Sequence, residues 1–186
     1  MKRFTDAGRK SIVCGNLYAG LSLALTIPDI CASLEDPGPG KSRDRYVKWC
    51  ENWVQPKFTR QIPAPDGCGK TESKVFVSAQ DCYQLRCSLV HSGTTEINPA
   101  KKEVLDRFEF FDGTAGGHLN WCERNILNGE MQPNFLQLKA DLFSQTLFDA
   151  ADEWDQAVAN DPNVQAEKKK LLVIHTKGDC IGGIRF

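Results

Sequence analysis

The chain has 186 residues, of which 41% are hydrophobic and 25% charged, a composition typical of a globular domain. Its formal net charge of −1 excludes the strongly basic surface that coats nucleic acid without specificity, but leaves open a local RNA or DNA contact. The apolar run at residues 17–27 is shorter than the roughly 20 residues that span a bilayer, so we expect a cytoplasmic protein.

The first part of the chain is predicted to be helical. Apolar spacing indicates a helix over residues 3–25, in which three glycines favour either close packing against another helix or a kink: Gly8, Gly15 and Gly20. Thr26, followed by Pro28 and Asp29, is typical of the N-terminal cap of a second, short helix. A third helix is predicted over 42–56, where aromatic residues recur on one face.

Strands and one long helix are predicted to follow. Residues 57–77, with several prolines and glycines, are expected to form a long loop. Ser78 and Asp81 form a capping-box pattern that begins a fourth helix, which is predicted over residues 78–93. A long helix is predicted from about Pro133 to Asn160. Three stretches are predicted to be strands: 107–111, 118–125 and 171–176.

These elements predict an α+β fold that is mainly α, a helical bundle with a small antiparallel β-sheet. We expect one domain over residues 1–186, with a helical part at 1–95 and the short strands plus one long helix at 100–186.

The eight cysteines do not form a recognisable disulfide or metal framework. The sequence contains no C-x-x-C pair and no zinc-finger spacing, so a redox or metal function is the interpretation that the cysteines favour least. Cys68 and Cys180 lie in turn-rich stretches and are expected to be exposed. Five others are interpreted as small core residues of predicted helices: Cys14, Cys31, Cys50, Cys82 and Cys87.

No cofactor is expected. Residues 40–42 and 69–71 contain the G-K-[ST] tail of a phosphate-binding loop, but such a loop also needs a glycine five positions before that tail's glycine. Glu35 and Ala64 occupy those positions, and a glutamate there would repel a phosphate.

Two of the three histidines, His118 and His175, fall in predicted strands without a second ligand at metal spacing. His118 and Asn120 would share one strand face, because strand side chains alternate with a period of two. We interpret both histidines as structural or surface residues.

The fourth predicted helix places Arg86 near the centre of its own apolar side. His91 lies about 140° around the helix, at the rim of that side. A guanidinium group keeps its charge in proteins, so a buried arginine must be paired or hydrogen-bonded. One interpretation is structural: Arg86 would reach a carboxylate such as Asp29 or Glu35 and tie helices together, unless Asp29 serves as a helix cap.

A second interpretation comes from the spacing of the two residues. The sequence RCSLVH (86–91) resembles the R-x4-6-H signature of the HEPN superfamily of small helical-bundle proteins, many of which are metal-independent ribonucleases of defence and toxin systems. The chain also resembles a group of uncharacterised bacterial proteins that combine three motifs within residues 16–93: ALTIPDIC, RYVKWCENW and DCYQLRCSLVHSG.

The HEPN resemblance implies a homodimer whose paired R-x4-6-H helices line one composite cleft that binds RNA. It implies that His91 is the general acid or base and that Arg86 clamps the phosphate, with Asp29, Asp81 and Tyr83 in support. It further implies a phage-defence or toxin–antitoxin function and an antitoxin or nucleotidyltransferase partner. The alternative is a non-catalytic HEPN-like interaction module in which Arg86 is structural.

Overall fold

Helices dominate the fold and short strands complete it, which confirms the predicted α+β, mainly α class. The computed structural model describes residues 1–64, 69–98, 105–113, 117–122, 126–127, 130–131, 134–177, 179–181 and 184–185. The helices in these ranges are α1 (Lys2–Val13), α2 (Leu17–Glu35), α3 (Ser42–Trp53), α4 (Ala79–Ser92), α5 (Ala140–Ala157) and α6 (Pro162–Lys168). The strands are β1 (Thr59–Pro63), β2 (Thr71–Val75), β3 (Arg107–Phe111), β4 (Asn120–Cys122), β5 (Ile126–Leu127), β6 (Glu130–Met131), β7 (Phe135–Lys139), β8 (Cys180–Ile181) and β9 (Ile184–Arg185).

Helix α2 is the centre of the bundle and packs against α1, α3, α4, α5 and α6. The short apolar run noted in the sequence belongs to this 19-residue helix, which by length and composition alone is apolar enough to cross a membrane. Half of that apolar stretch is buried inside the protein, against the neighbouring helices. Its apolar character is therefore explained by its place in the core.

The prediction of one helix over residues 3–25 is wrong, because the helix is interrupted between α1 and α2. Gly15 adopts a left-handed conformation with φ of 77°, which a residue with a side chain rarely adopts. The side chain of Asn16 then caps α2 by accepting a hydrogen bond from the Ala19 N–H at 3.1 Å.

The predicted helix start at Thr26 is also wrong, since α2 continues through Pro28. The Thr26 hydroxyl donates to the Leu23 carbonyl within the helix, at 2.9 Å, instead of capping a new one. Proline removes one N–H and disturbs the hydrogen bonds of the preceding turn. The buried Tyr46 hydroxyl of α3 donates to the Leu25 carbonyl in that turn at 3.2 Å, so α3 contacts the helix directly before the proline.

Close packing explains two of the three glycines. A Cβ atom added to Gly8 would lie 2.1 Å from the ring of the buried Phe148 on α5, and one added to Gly20 would lie 2.6 Å from the Ile12 side chain. Helix α1 therefore approaches α5 more closely than an alanine at Gly8 would permit, and α2 more closely than an alanine at Gly20 would permit.

We expect Gly8→Ala to lower the free energy of unfolding by about 1–3 kcal/mol, because the Phe148 ring has to leave its place in the core. Thermal or denaturant unfolding measures the change. Gly40→Ala is the matched control, since a Cβ there meets only an Asp36 carboxylate oxygen at 4.0 Å. Equal stability of the two variants would contradict the tight packing of α1 on α5.

The main sheet has three strands in the order β3-β7-β4. Strand β7 pairs parallel with β3 and antiparallel with β4, so this sheet is mixed rather than purely antiparallel. The predicted helix over 133–160 is wrong at its beginning, because residues 135–139 form β7 and only the remainder forms α5. Leu136 and Leu138 are both buried and alternate with half-buried neighbours, the pattern of a strand with one covered face. Phe110 of β3 contacts Phe143 of α5, with ring centroids 5.4 Å apart, and so joins the sheet to the helices.

Two further predictions of local structure are wrong. The expected loop over 57–77 contains the antiparallel hairpin of β1 and β2, in which Thr59 lies opposite Val75 and Pro63 occupies the strand end, a position that tolerates proline. Residues 171–176 form no strand. Helix α6, capped by Asp161, was not predicted at all. The predicted strands at 107–111 and 118–125 are found as β3 and β4, although residues 123–125 lie outside the described part of the chain.

The predicted environment of the cysteines is confirmed for those deepest in the bundle. Cys31, Cys50 and Cys82 are buried, and Cys180 is exposed as expected. The prediction is wrong for Cys14, which is exposed at the end of α1, and Cys87 is only partly buried. Cys68 lies outside the described residues.

Candidate functional site

Helix α4 carries the candidate site, and its two ends are those that the sequence predicts. The Ser78 hydroxyl accepts the Asp81 N–H at 3.0 Å, which caps the first turn. Gly93 closes the helix in a left-handed conformation with φ of 65°. Its N–H binds the Leu89 carbonyl, and the following Thr94 N–H binds the Ser88 carbonyl. This termination leaves His91 in the last, exposed turn.

Arg86 forms an ion pair with Asp29, one of its two predicted partners. The Arg86 Nε atom lies 2.8 Å from an Asp29 carboxylate oxygen, and their side chains are 24% and 23% exposed. The contact links α4 to the middle of α2, so the interpretation of Asp29 as a helix cap is wrong. The other predicted partner, Glu35, instead accepts a hydrogen bond from the Trp154 indole at 2.5 Å.

The two charges of this pair influence each other. Burial raises the pKa of Asp29, and the neighbouring Arg86 and Arg45 guanidinium groups oppose that rise. Burial favours the neutral form of Arg86 as well, but Asp29 and Cys87 raise its pKa, so the guanidinium stays charged. The contact uses one of the five guanidinium N–H donors, and the partial exposure of the side chain makes the group accessible from solvent.

Tyr83 lies one turn before Arg86 on the same helix and is partly buried. Its ring meets that of Tyr46 edge-on, with centroids 5.4 Å apart. Burial and the Cys87 side chain raise the pKa of Tyr83, so it is a neutral phenol near pH 7. Asp29, Tyr83 and Arg86 therefore form one contiguous group.

Asp81 and His91 lie apart from that group. Asp81 is buried at the N-terminal end of α4, about 15 Å along the helix axis from the exposed His91. His91 itself follows Arg86 by about 7.5 Å along the axis and about 140° around it. A single chain thus presents Arg86 and His91 on different sides of one helix.

Behind the ion pair lies a buried polar cluster that the sequence analysis missed. The Tyr46 hydroxyl contacts the Cys82 thiol at 3.5 Å, and Cys82 also interacts with the Cys50 thiol. Burial raises the pKa of Tyr46 and of Cys50, so both groups stay neutral. Helical spacing placed Tyr46 and Cys50 on one apolar face, and only the packing of α3 on α4 brings Cys82 to them.

An open cleft with a mixed polar and apolar lining was also missed. Tyr18 and Leu21 from α2, Leu89 from α4 and Phe110 from β3 line a cleft of about 500 Å³. A neighbouring cleft of about 250 Å³ shares three of these residues. The sequence signal was ambiguous, because Tyr18 lies within an apolar run that otherwise fits a helix core, yet its side chain is 84% exposed.

His118 precedes β4 instead of lying within a strand, so the predicted shared strand face with Asn120 is wrong. Its Nδ1 atom accepts the Lys139 backbone N–H at 3.3 Å at the start of α5. Burial lowers the pKa of His118; Asp141 opposes this effect, whereas Arg60 and Lys139 add to it. His118 is therefore neutral at pH 7 and supports the junction of sheet and helix.

We expect acidification to destabilise the protein through His118. A histidine whose pKa is lowered by folding binds protons more readily when unfolded, so stability falls as the pH drops below the unfolded pKa of about 6.5. His118→Gln retains an acceptor for Lys139 but does not titrate. The drop in melting temperature between about pH 7.5 and pH 5.5 should therefore be smaller in this variant than in wild type. The control is His175→Gln, which replaces an exposed histidine. An equal drop in melting temperature in the His118→Gln and His175→Gln variants would contradict the assignment of this pH dependence to His118.

Comparison with known proteins gives no relative on which to rest a function. No protein-family model matches the chain, and searches of curated proteins and of solved structures found no match.

Proposed function

We propose that this chain is a cytoplasmic, metal-independent endoribonuclease of HEPN type that acts as a homodimer. One observation supports this proposal most directly: Arg86 is a partly exposed cation that Asp29 holds at 2.8 Å, on the same helix as the exposed His91. A phosphate clamp requires a permanently charged, oriented guanidinium group. Histidine is the side chain most often used as a general acid or base, and His91 at the exposed end of the helix is accessible to a substrate.

The separation of Arg86 and His91 around α4 favours a site built from two copies of the helix. In such a site, one His91 would take the proton from the RNA 2′-hydroxyl, and the oxygen would attack the adjacent phosphorus. The bond to the 5′-oxygen would break, and that oxygen would receive a proton from an acid in the cleft. The products would be a 2′,3′-cyclic phosphate and a 5′-hydroxyl end, while Arg86 stabilises the extra charge on the phosphorane oxygens.

Asp29 and Tyr83 would position Arg86 in this scheme rather than touch the substrate. Asp29 fixes the guanidinium through Nε. Tyr83 supports the helix turn beneath it by its edge-on contact with Tyr46. Asp81, buried at the opposite end of α4, would contribute to the helix cap and not to the reaction.

The test is cleavage of total cellular RNA by the purified protein in excess EDTA. We expect fragments with 2′,3′-cyclic phosphate ends, because neither histidine nor arginine needs a metal for this reaction. A protein that leaves RNA intact under these conditions, while remaining folded, would contradict the proposal. The same assay on a defined single-stranded RNA would then identify the preferred sequence. We propose phage defence or a toxin–antitoxin pair as the biological setting, with an antitoxin or nucleotidyltransferase partner.

A non-catalytic interaction module is the second candidate function. The observation that favours it is the same ion pair, since a contact between α2 and α4 that is about three-quarters buried also serves as a structural tie. In that case, the wild-type protein would not cleave RNA, and replacing Arg86 or His91 would change nothing in the cleavage assay. Only the Arg86 variant would lose stability.

A further inference from the structure

An extended apolar segment lies unpaired on the surface of this protein. Residues 171–176, LLVIHT, follow α6, and the side chains of Leu172 and Ile174 are 72% and 84% exposed. Branched aliphatic residues in this pattern favour a β-strand. Among the residues that the structure describes, none pairs with the backbone of 172–175. The described part of a single copy therefore offers this strand-forming segment no sheet.

The cleft lined by Tyr18, Leu21, Leu89 and Phe110 on one side and by polar residues on the other is a second unfilled feature. Tyr18 is 84% exposed and gains free energy when another apolar surface covers it, whereas Leu21 is already buried and Leu89 and Phe110 are partly buried. Phe110 belongs to β3, the edge strand of the main sheet, so one wall of the cleft is a sheet edge.

That sheet edge is open where it borders the cleft. The beginning of β3 is covered on this side, because the Phe108 N–H donates to the Thr95 carbonyl at 3.1 Å. Backbone groups of successive strand residues point to opposite edges, so Phe110, two residues further on, directs its N–H and C=O to the same side. Within the described ranges, no backbone group pairs with Phe110 on that side. An added strand would find both hydrogen-bonding groups and an apolar surface here.

Charge also matches the segment to the cleft. The rim carries two carboxylates, Glu96 and Glu109, with Arg107 paired to the latter at 2.8 Å. The segment is flanked by exposed lysines on both sides, Lys169 before it and Lys177 after it, while Lys170 is already paired with Glu167. Opposite charges of this kind attract the segment to the cleft and help to fix the register of an added strand.

We propose that residues 171–176 of one copy of this chain add as a strand to the open edge of β3 in a second copy, with Leu172 and Ile174 against the apolar side of the cleft. A second copy is the occupant because the segment's own backbone is held at Leu171, whose carbonyl accepts a hydrogen bond from Arg3 at 3.1 Å, while its own cleft stays unfilled. The interface uses β3 and the cleft and not the Arg86 ion pair, so it goes beyond the proposed ribonuclease activity and stands independently of it.

The test uses a labelled peptide of residues 170–177 and the full-length Ile174→Glu chain, whose own segment cannot enter a cleft. Fluorescence anisotropy should show saturable binding of the peptide to this protein. The double variant Tyr18→Glu, Ile174→Glu should bind at least about tenfold more weakly, because the peptide would bury an unpaired carboxylate. Val13→Glu, Ile174→Glu is the matched control at an equally exposed α1 position that does not line the cleft, and it should bind as the single variant does.

Light scattering completes the test. Wild type should have a higher mean mass than the Ile174→Glu chain at the same concentration, and mixing the Tyr18→Glu and Ile174→Glu chains should restore association, since one supplies the segment and the other the cleft. Absence of saturable peptide binding, or equal binding by the Tyr18 variant, would overturn the proposal. None of these readouts depends on RNA cleavage, so either proposal can fail without the other.

Discussion

His91→Ala should reduce the rate of RNA cleavage at least about 100-fold, because general acid–base catalysis by a positioned side chain contributes a factor of about 100 to 10,000. The same change should leave the melting temperature within experimental error of wild type, since His91 is exposed in the last turn of α4. The measurement is a time course with a defined RNA in excess EDTA, with product ends identified chemically.

His175→Ala is the matched control for this experiment. His175 is also exposed, lies outside α4 and contacts only the side chain of Asp179 among the described residues, at 3.7 Å. It should cleave RNA at the wild-type rate. A His91→Ala protein that cleaves as fast as wild type would contradict the assignment of the acid or base. Arg86→Lys should then be compared with Arg86→Ala, because a lysine keeps the charge but loses the planar fork.

Arg86→Ala should lower the free energy of unfolding by about 2 kcal/mol, whatever the function of the protein. The change leaves the Asp29 carboxylate, 23% exposed in the middle of α2, without its charged partner. Denaturant unfolding measures the loss. The matched variant is Asp29→Asn, which removes the charge from the other side of the contact and nearly preserves its shape.

A double-mutant cycle separates the ion pair from general effects of truncation. Arg86→Ala combined with Asp29→Asn should cost less than the sum of the single changes, by about 1 kcal/mol, because the two residues contact each other. Strict additivity of the two changes would contradict a stabilising contact between α2 and α4.

The pH dependence of the same variants provides a second check. The pKa of Asp29 is raised in the folded protein, chiefly by burial, and Arg86 opposes the rise. A carboxyl group with a raised pKa destabilises the folded state as the pH rises through that pKa, because its charged form is the costly one. The deficit of Arg86→Ala should therefore be larger at pH 7 than near pH 4, where a protonated Asp29 needs no counter-charge. A deficit that grows on acidification would contradict this assignment.

Local patterns predicted the parts of the structure that depend on few neighbours. Helix α4 was predicted from its Ser78 cap to its final glycine, because capping and termination involve residues within one turn of each other. The need of Arg86 for a partner was equally visible, since a guanidinium group on an apolar helix face cannot discard its charge. Asp29 was one of two partners that the sequence allowed.

The tertiary structure alone decided between the alternatives that the sequence left open. Leu136 fits both the helical stripe that continues into α5 and the alternation of a strand, and pairing with β3 and β4 selects the strand. Pro28 resembled a helix start, yet α2 continues through it as the central helix of the bundle, packed against five other helices. Residues 171–176 have strand-forming side chains, but none of the strands that the structure describes pairs with them. Sheet pairing and burial join residues that are far apart in sequence, so the periodicity of a segment cannot reveal them. Caps, turns and the need of a charge for a partner depend on nearby residues, and the sequence determined these by itself.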